Sequence, residues 1–83
     1  MPRIPLGKTA YPDLALEREI GQALAAARHR AGMTQIQVAQ ALGTDQGNIA
    51  RLEAGKVSPT LRTLQRYAEA TGRRLRIAIE PID

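Results

Sequence analysis

Gly32-Met33-Thr34-Gln35-Ile36-Gln37-Val38-Ala39-Gln40-Ala41-Leu42-Gly43 runs without a gap into Thr44-Asp45-Gln46-Gly47-Asn48-Ile49-Ala50-Arg51-Leu52-Glu53-Ala54-Gly55. Each half reads as one short helix. Thr34 offers a hydroxyl to the free donors of the first turn, and Asp45 offers a carboxylate to those of the second. Ile36, Val38, Ala39 and Leu42 are the apolar residues of the first half, and Gly43 stops it. Ile49 and Leu52 are the inward residues of the second, and Gly55 ends it. Ala39 is small, as it must be where two helices approach closely. The pattern predicts two short helices joined by a tight, glycine-containing turn.

The flanks extend this into a helical bundle. Upstream, Leu16, Ile20, Ala23, Leu24 and Ala27 recur at helical spacing between Leu14 and Ala31, with Asp13 as candidate cap and Gly32 as stop. Downstream, Ser58-Pro59 matches a helix start, with Ser capping and Pro in the first helical position. Leu61, Leu64 and Ala68 are the expected core stripe of that last helix, which Gly72 closes. Residues 1–12 hold three of the five prolines and show no periodicity, so they are expected to form a loose tail.

The period changes after Gly72. In Arg74-Leu75-Arg76-Ile77-Ala78-Ile79-Glu80, Leu75, Ile77 and Ile79 alternate with Arg74, Arg76, Ala78 and Glu80, and Pro81 ends the run. This is a strand, and no second strand is expected in the chain. A lone strand leaves backbone groups unpaired. Its mate is expected to be the same strand of a second copy across a two-fold axis, through Leu75, Ile77 and Ile79. The other reading is an extended tail lying on the chain's own helices. The organisation expected is a tail over 1–12, a helical domain over 13–72 and a dimerisation strand over 73–83.

Composition narrows the function classes. Twelve Lys and Arg stand against eight Asp and Glu, a formal net charge of +4 in 83 residues, which favours a polyanionic partner. Two tyrosines are the only aromatic residues, too few for the stacking platforms of single-strand and RNA modules. A helix lying in a DNA groove needs Arg, Gln and Asn instead. There is no cysteine, which excludes disulfides and thiolate metal sites and fits a reducing cytoplasm. No apolar run is long enough to span a membrane, and Met1 to Tyr11 lacks the apolar core of a secretory signal. The only histidine, His29, sits between Arg28 and Arg30 with no paired carboxylates or second ligand to make a metal or catalytic site. No enzyme activity, metal or cofactor is expected.

Two short helices about a tight turn form a helix-turn-helix. The residues Gly32 to Gln35, Ala39, Leu42-Gly43, Gln46, Asn48-Ile49, Arg51 to Glu53, Gly55-Lys56 and Ser58 to Leu61 resemble the Cro/CI-type (Xre) family of phage repressors and bacterial regulators, over roughly Leu24 to Gly72. The resemblance implies an all-α, lambda-repressor-like bundle whose third helix lies in the major groove of double-stranded DNA. It implies base contacts from Gln46, Gly47, Asn48 and Arg51, and phosphate contacts from Thr34, Gln35 and Lys56. It also implies a structural ion pair between Arg28 and Glu53. Chemistry is consistent with these roles. Gln and Asn pair bidentately with adenine and Arg with guanine, and a helix N-terminus attracts a phosphate. Gly47 departs from the side-chain-bearing residue usual there. Thr44 stands where many relatives have an apolar residue.

The segment Leu61-Thr63-Leu64-Tyr67-Ala68-Ala70-Thr71-Gly72 and the strand after it resemble the HigA- and HipB-type antitoxins of toxin–antitoxin modules. That resemblance implies a homodimer that binds a palindromic operator, represses its own operon and holds a cognate toxin. The alternative is a stand-alone phage or mobile-element repressor with no toxin.

Overall fold

Three helix starts are fixed by side chains that fold back on the backbone. Thr34 accepts from the Gln37 amide at 3.1 Å, and the Gln37 side chain returns the bond to the Thr34 amide at 2.8 Å, completing a capping box. Asp45 accepts from the Asn48 amide at 2.7 Å, and Thr60 from the Thr63 amide at 3.1 Å. The computed structural model describes residues 4–6 and 15–82. Its elements are β1 (Ile4–Leu6), α1 (Ala15–Arg30), α2 (Gln35–Leu42), α3 (Gln46–Glu53), α4 (Leu61–Ala70) and β2 (Ile77–Ile79). Asp13, the cap expected for α1, lies outside the described residues. So does the tail over 1–12, apart from Ile4–Leu6.

The turn between α2 and α3 is three residues long, Gly43 to Asp45. Gly43 adopts φ 71°, ψ 33°, a left-handed conformation that a residue with a Cβ occupies at a cost. Its amide and that of Thr44 close on the carbonyls of Gln40 and Ala39 at 3.2 and 2.9 Å. The chain can therefore reverse and begin α3 without leaving donors idle.

Around this pair the core is built from Leu24 of α1, Val38, Ala39 and Leu42 of α2, Ile49 and Leu52 of α3, and Leu64 and Tyr67 of α4. Val38, Ile49 and Tyr67 are wholly buried. Three sequence expectations need correction. Helix α4 begins at Leu61 with Thr60 as its cap, whereas Ser58 donates its hydroxyl to Glu17 at 2.7 Å and Pro59 precedes the helix. Leu61, expected in the core stripe, faces solvent from the first turn of α4, as the apolar Ile36 does from the first turn of α2. The largest core residue of α4 is Tyr67, one turn beyond Leu64, so the stripe runs Leu64–Tyr67–Ala68.

The C-terminal strand is present as Ile77–Ile79, but it is not alone. It pairs in parallel with β1, in the register Ile4 with Ile77, Pro5 with Ala78 and Leu6 with Ile79. The expectation of a single strand is thereby corrected. A three-residue segment with proline at its centre carries no readable period, and its partner lies more than seventy positions away, at Ile77–Ile79. Leu75 precedes the strand and packs on the helical core, while Ile77 and Ile79 are exposed.

Candidate nucleic-acid interface

Helix α3 is held from below and open above. Ile49 and Leu52 point into the core, and Gln46, Gly47 and Arg51 are exposed on the opposite side. Its C-terminal end is clamped by α1. A Cβ at Gly21 would stand 2.4 Å from the Glu53 carbonyl oxygen and 2.6 Å from that of Leu52, so α1 crosses α3 where only a hydrogen fits. Just beyond the helix, Gly55 sits at φ 74°, and a Cβ there would meet Arg18 Cα at 2.5 Å. These two glycines let α1 approach the base of the outward helix closely enough to fix its angle.

A polar network fixes it laterally. Arg28 reaches from α1 to Glu53 with Nε to Oε2 at 2.8 Å and Nη2 to Oε1 at 2.9 Å, a bidentate pair whose side chains are only 11% and 7% exposed. Its Nη1 donates to the Met33 carbonyl at 3.0 Å, tying the pair to the loop before α2. Tyr67 Oη donates to Glu53 Oε2 at 2.5 Å, and Gln35 Nε2 donates to Oε1 at 3.1 Å. Four donors, two from α1 and one each from α4 and the start of α2, thus converge on one carboxylate. Burial by itself would raise the Glu53 carboxyl; the bonds from Arg28, Tyr67 and Gln35, with the charge of Arg28, outweigh it and hold it below the usual carboxylate range. The bond to Glu53 holds the Arg28 guanidinium in its charged form more firmly still, and burial followed by Glu53 pushes the Tyr67 hydroxyl well up.

The network continues to the surface. Gln46 Nε2 donates to Gln35 Oε1 at 3.3 Å, which joins the first residues of α2 and α3. Asn48 turns back toward the connecting turn, with Nδ2 donating to Thr44 Oγ1 at 3.1 Å, and is half-buried. The threonine that departs from the apolar residue usual in the turn is thus the partner of Asn48. Arg51 lies over Gly47: a Cβ at Gly47 would stand 3.4 Å from Arg51 Nη1. Lys56 is exposed just past α3, and Thr34 is exposed at the start of α2.

The structure therefore brings Thr34, Gln35, Gln46, Gly47 and Arg51 onto the end of the molecule where α2 and α3 begin. Asn48 is beside them but partly engaged. Sequence reasoning missed Tyr67 as a member of the Glu53 network, although a tyrosine at core spacing signals a buried hydroxyl that needs a partner. It also missed Arg66, whose Nη2 donates to the Leu42 carbonyl at 3.0 Å and closes the end of α2. No sequence signal linked those two positions. His29 is exposed, with Nε2 3.3 Å from Arg28 Nη2. Among the described residues no group of His, Asp and Glu is arranged to hold a metal ion. Nor is any helix among them long and apolar enough to cross a membrane.

A helix-turn-helix family profile matches residues 24–77, which spans α1 from Leu24 onward, the α2–α3 pair, α4 and the start of β2. The chain belongs to the helix-turn-helix family. Its fold is that of DNA-binding regulators. Among curated proteins this helix-turn-helix chain is 36% identical over 76 residues to the antitoxin HigA1 of Mycobacterium tuberculosis, in two strains, CDC 1551 / Oshkosh and ATCC 25618 / H37Rv. The match covers 92% of the chain and 51% of the relative, so the chain spans about half the length of the curated relatives it matches. Among solved structures it is similar to the clp gene regulator ClgR from C. glutamicum. The TM-score is 0.71 at 26% identity, covering 82% of this chain and 85% of that one.

Proposed function

We propose that the chain is a sequence-specific transcriptional repressor that reads the major groove with α3, and that it serves as the antitoxin of a toxin–antitoxin module. The observation that carries the DNA-reading half is the exposure of Gln46, Gly47 and Arg51 on one face of α3 while Ile49 and Leu52 anchor the opposite face in the core. In this reading Gln46, Gly47, Asn48 and Arg51 meet base edges. Thr34 and Gln35, at the N-terminus of α2, and Lys56, after α3, meet phosphates. The partial positive charge of the α2 N-terminus and the formal net charge of +4 both favour the polyanion. The 36% identity to HigA1 supports the antitoxin half, with a toxin as protein partner and the chain's own operon as target.

Two copies related by a two-fold would read a palindromic operator with half-sites roughly 34–36 Å apart. The homodimer is supported by β2. Among the described residues β2 pairs on one edge only, with β1, and Ile79 is 81% exposed. Pairing two copies through that edge of β2 gives the order β1-β2-β2-β1. Leu61 joins this face, since it lines a groove with Leu75 and Ile77.

A stand-alone regulator without a toxin is the second reading, favoured by the likeness to ClgR over most of both chains. Selection of duplexes on the purified protein, followed by titration of Arg51→Ala, tests groove reading. The variant should lose about 1–3 kcal/mol on the selected site and relax preference at one base pair. Equal loss on every duplex would refute a base contact. A partner that copurifies in stoichiometric amount and is released by operator-independent competition would separate the antitoxin from the stand-alone repressor.

A further inference from the structure

We infer that Glu53, beyond closing an ion pair, is a positioning residue that sets the base preference of Gln46 through Gln35. A carboxylate accepts hydrogen bonds and donates none. The side-chain amide of Gln35, at 3.1 Å from Glu53 Oε1, must therefore turn Nε2 toward Glu53. That places Gln35 Oε1 outward, where it accepts from Gln46 Nε2 at 3.3 Å. One N–H of Gln46 is now committed. What remains at its tip is one N–H beside one Oε1, a donor next to an acceptor. Adenine presents the complement, an N7 acceptor beside the N6 donor, whereas guanine presents two acceptors. The direction of donation along Glu53–Gln35–Gln46 thus selects adenine over guanine.

Glu53 is suited to impose that direction because it is itself immobile. Arg28 grips both of its oxygens and Tyr67 donates to Oε2, so the carboxylate cannot swing away from Gln35. An amide at position 53 would lack this property. It can present either N–H or oxygen to Gln35, which then flips and leaves Gln46 free to tolerate guanine.

The inference rests on Gln46 as a base-contacting residue, and the test separates the two. Duplexes carrying each base pair in turn at every position of the selected site are titrated with wild type, Gln46→Ala, Glu53→Gln, the double variant and Tyr67→Phe. Gln46→Ala should lose about tenfold or more of adenine-over-guanine preference at one base pair of each half-site, the worth of a bidentate contact. Glu53→Gln should lose about three- to tenfold at that same pair and leave the others unchanged. It should add nothing in the Gln46→Ala background. Tyr67→Phe, which spares the Gln35 bond, should keep the preference. A purely structural Glu53 would weaken all duplexes in proportion and leave the ratio intact.

If Gln46→Ala removes the preference and Glu53→Gln keeps it, the relay is wrong and the groove reading stands. If Gln46→Ala keeps it, the groove reading of Gln46 fails and the relay falls with it. Should Glu53→Gln fail to fold, Gln35→Met leaves the Arg28–Glu53–Tyr67 bonds in place. It should lose the same ratio, and retention of the ratio would overturn the inference.

Discussion

The Glu53 network and the C-terminal strand stand at opposite extremes of self-sufficiency. At Glu53 a carboxylate with a 7% exposed side chain has four donors, all from the same chain. Among the described residues no buried side-chain nitrogen or oxygen lacks a partner. At β2 the pairing is three residues long, and Ile77 and Ile79 lie at the surface with Leu61 nearby. The difference teaches where each region's stability comes from. A helix satisfies its own backbone and needs only a face to bury, whereas a short strand satisfies one edge at a time and stays incomplete until something covers the other. On this contrast, changes at the network should lower stability, and changes at β2 should alter assembly.

The sharpest way to break the contrast is Arg28→Ala. It leaves Glu53 buried with its strongest partner gone and should cost about 3–5 kcal/mol, read as a drop in denaturation midpoint. A cost below that of an ordinary surface change would place the network among solvated ion pairs. Next is Gly21→Ala, where the added methyl meets two carbonyl oxygens of α3. Overpacking of this kind should cost about 1–3 kcal/mol despite the better helix propensity of alanine. Since it tilts α3, operator binding should weaken more than stability alone explains.

Acid sharpens the same side of the comparison. The Glu53 carboxyl is held below its ordinary range in the folded chain, so its contribution is complete at neutral pH and above. It is lost as pH falls through the folded value, when the unfolded chain takes up the proton first. Stability of wild type should therefore fall on acidification below the ordinary carboxylate range. In Arg28→Ala the acid loss should be smaller. The smallest expected effect on stability is at β2. Ile77→Ser with Ile79→Ser should change it by only about 0.5 kcal/mol per site, as exposed substitutions do. For the dimer proposed above, sedimentation should nevertheless show a shift toward monomer. A large stability loss with no change in mass would mean that β2 is part of the helical core and not an assembly edge.

Much of the helical bundle is legible along the chain because its signals are local. The caps Thr34 and Asp45, the left-handed glycines 32, 43, 55 and 72, and the inward pair Ile49 and Leu52 each act within a few residues of where they stand. Where two local signals competed, the sequence misled. Ser58-Pro59 looks like a helix start, but Thr60 takes the cap because Ser58 is drawn to Glu17, forty-one positions away. Leu61 looks like core because it is apolar and in phase, yet α4 rotates to bury Tyr67. The residues of the candidate interface could be named from the family resemblance. Their hydrogen-bond partners could not.

The sequence by itself determined the number and order of the helices, the turn between α2 and α3, and which face of α3 turns away from the core. Period and capping are properties of neighbouring residues, so they need no knowledge of the rest of the chain. Only the tertiary structure decided that Ile4–Leu6 lies beside Ile77–Ile79 and that Tyr67 and Gln35 join the Arg28–Glu53 pair that the family resemblance implies. Strand pairing and buried polar networks join residues far apart along the chain. The choice among such partners is made by packing as a whole, which leaves no periodic trace in the residues themselves.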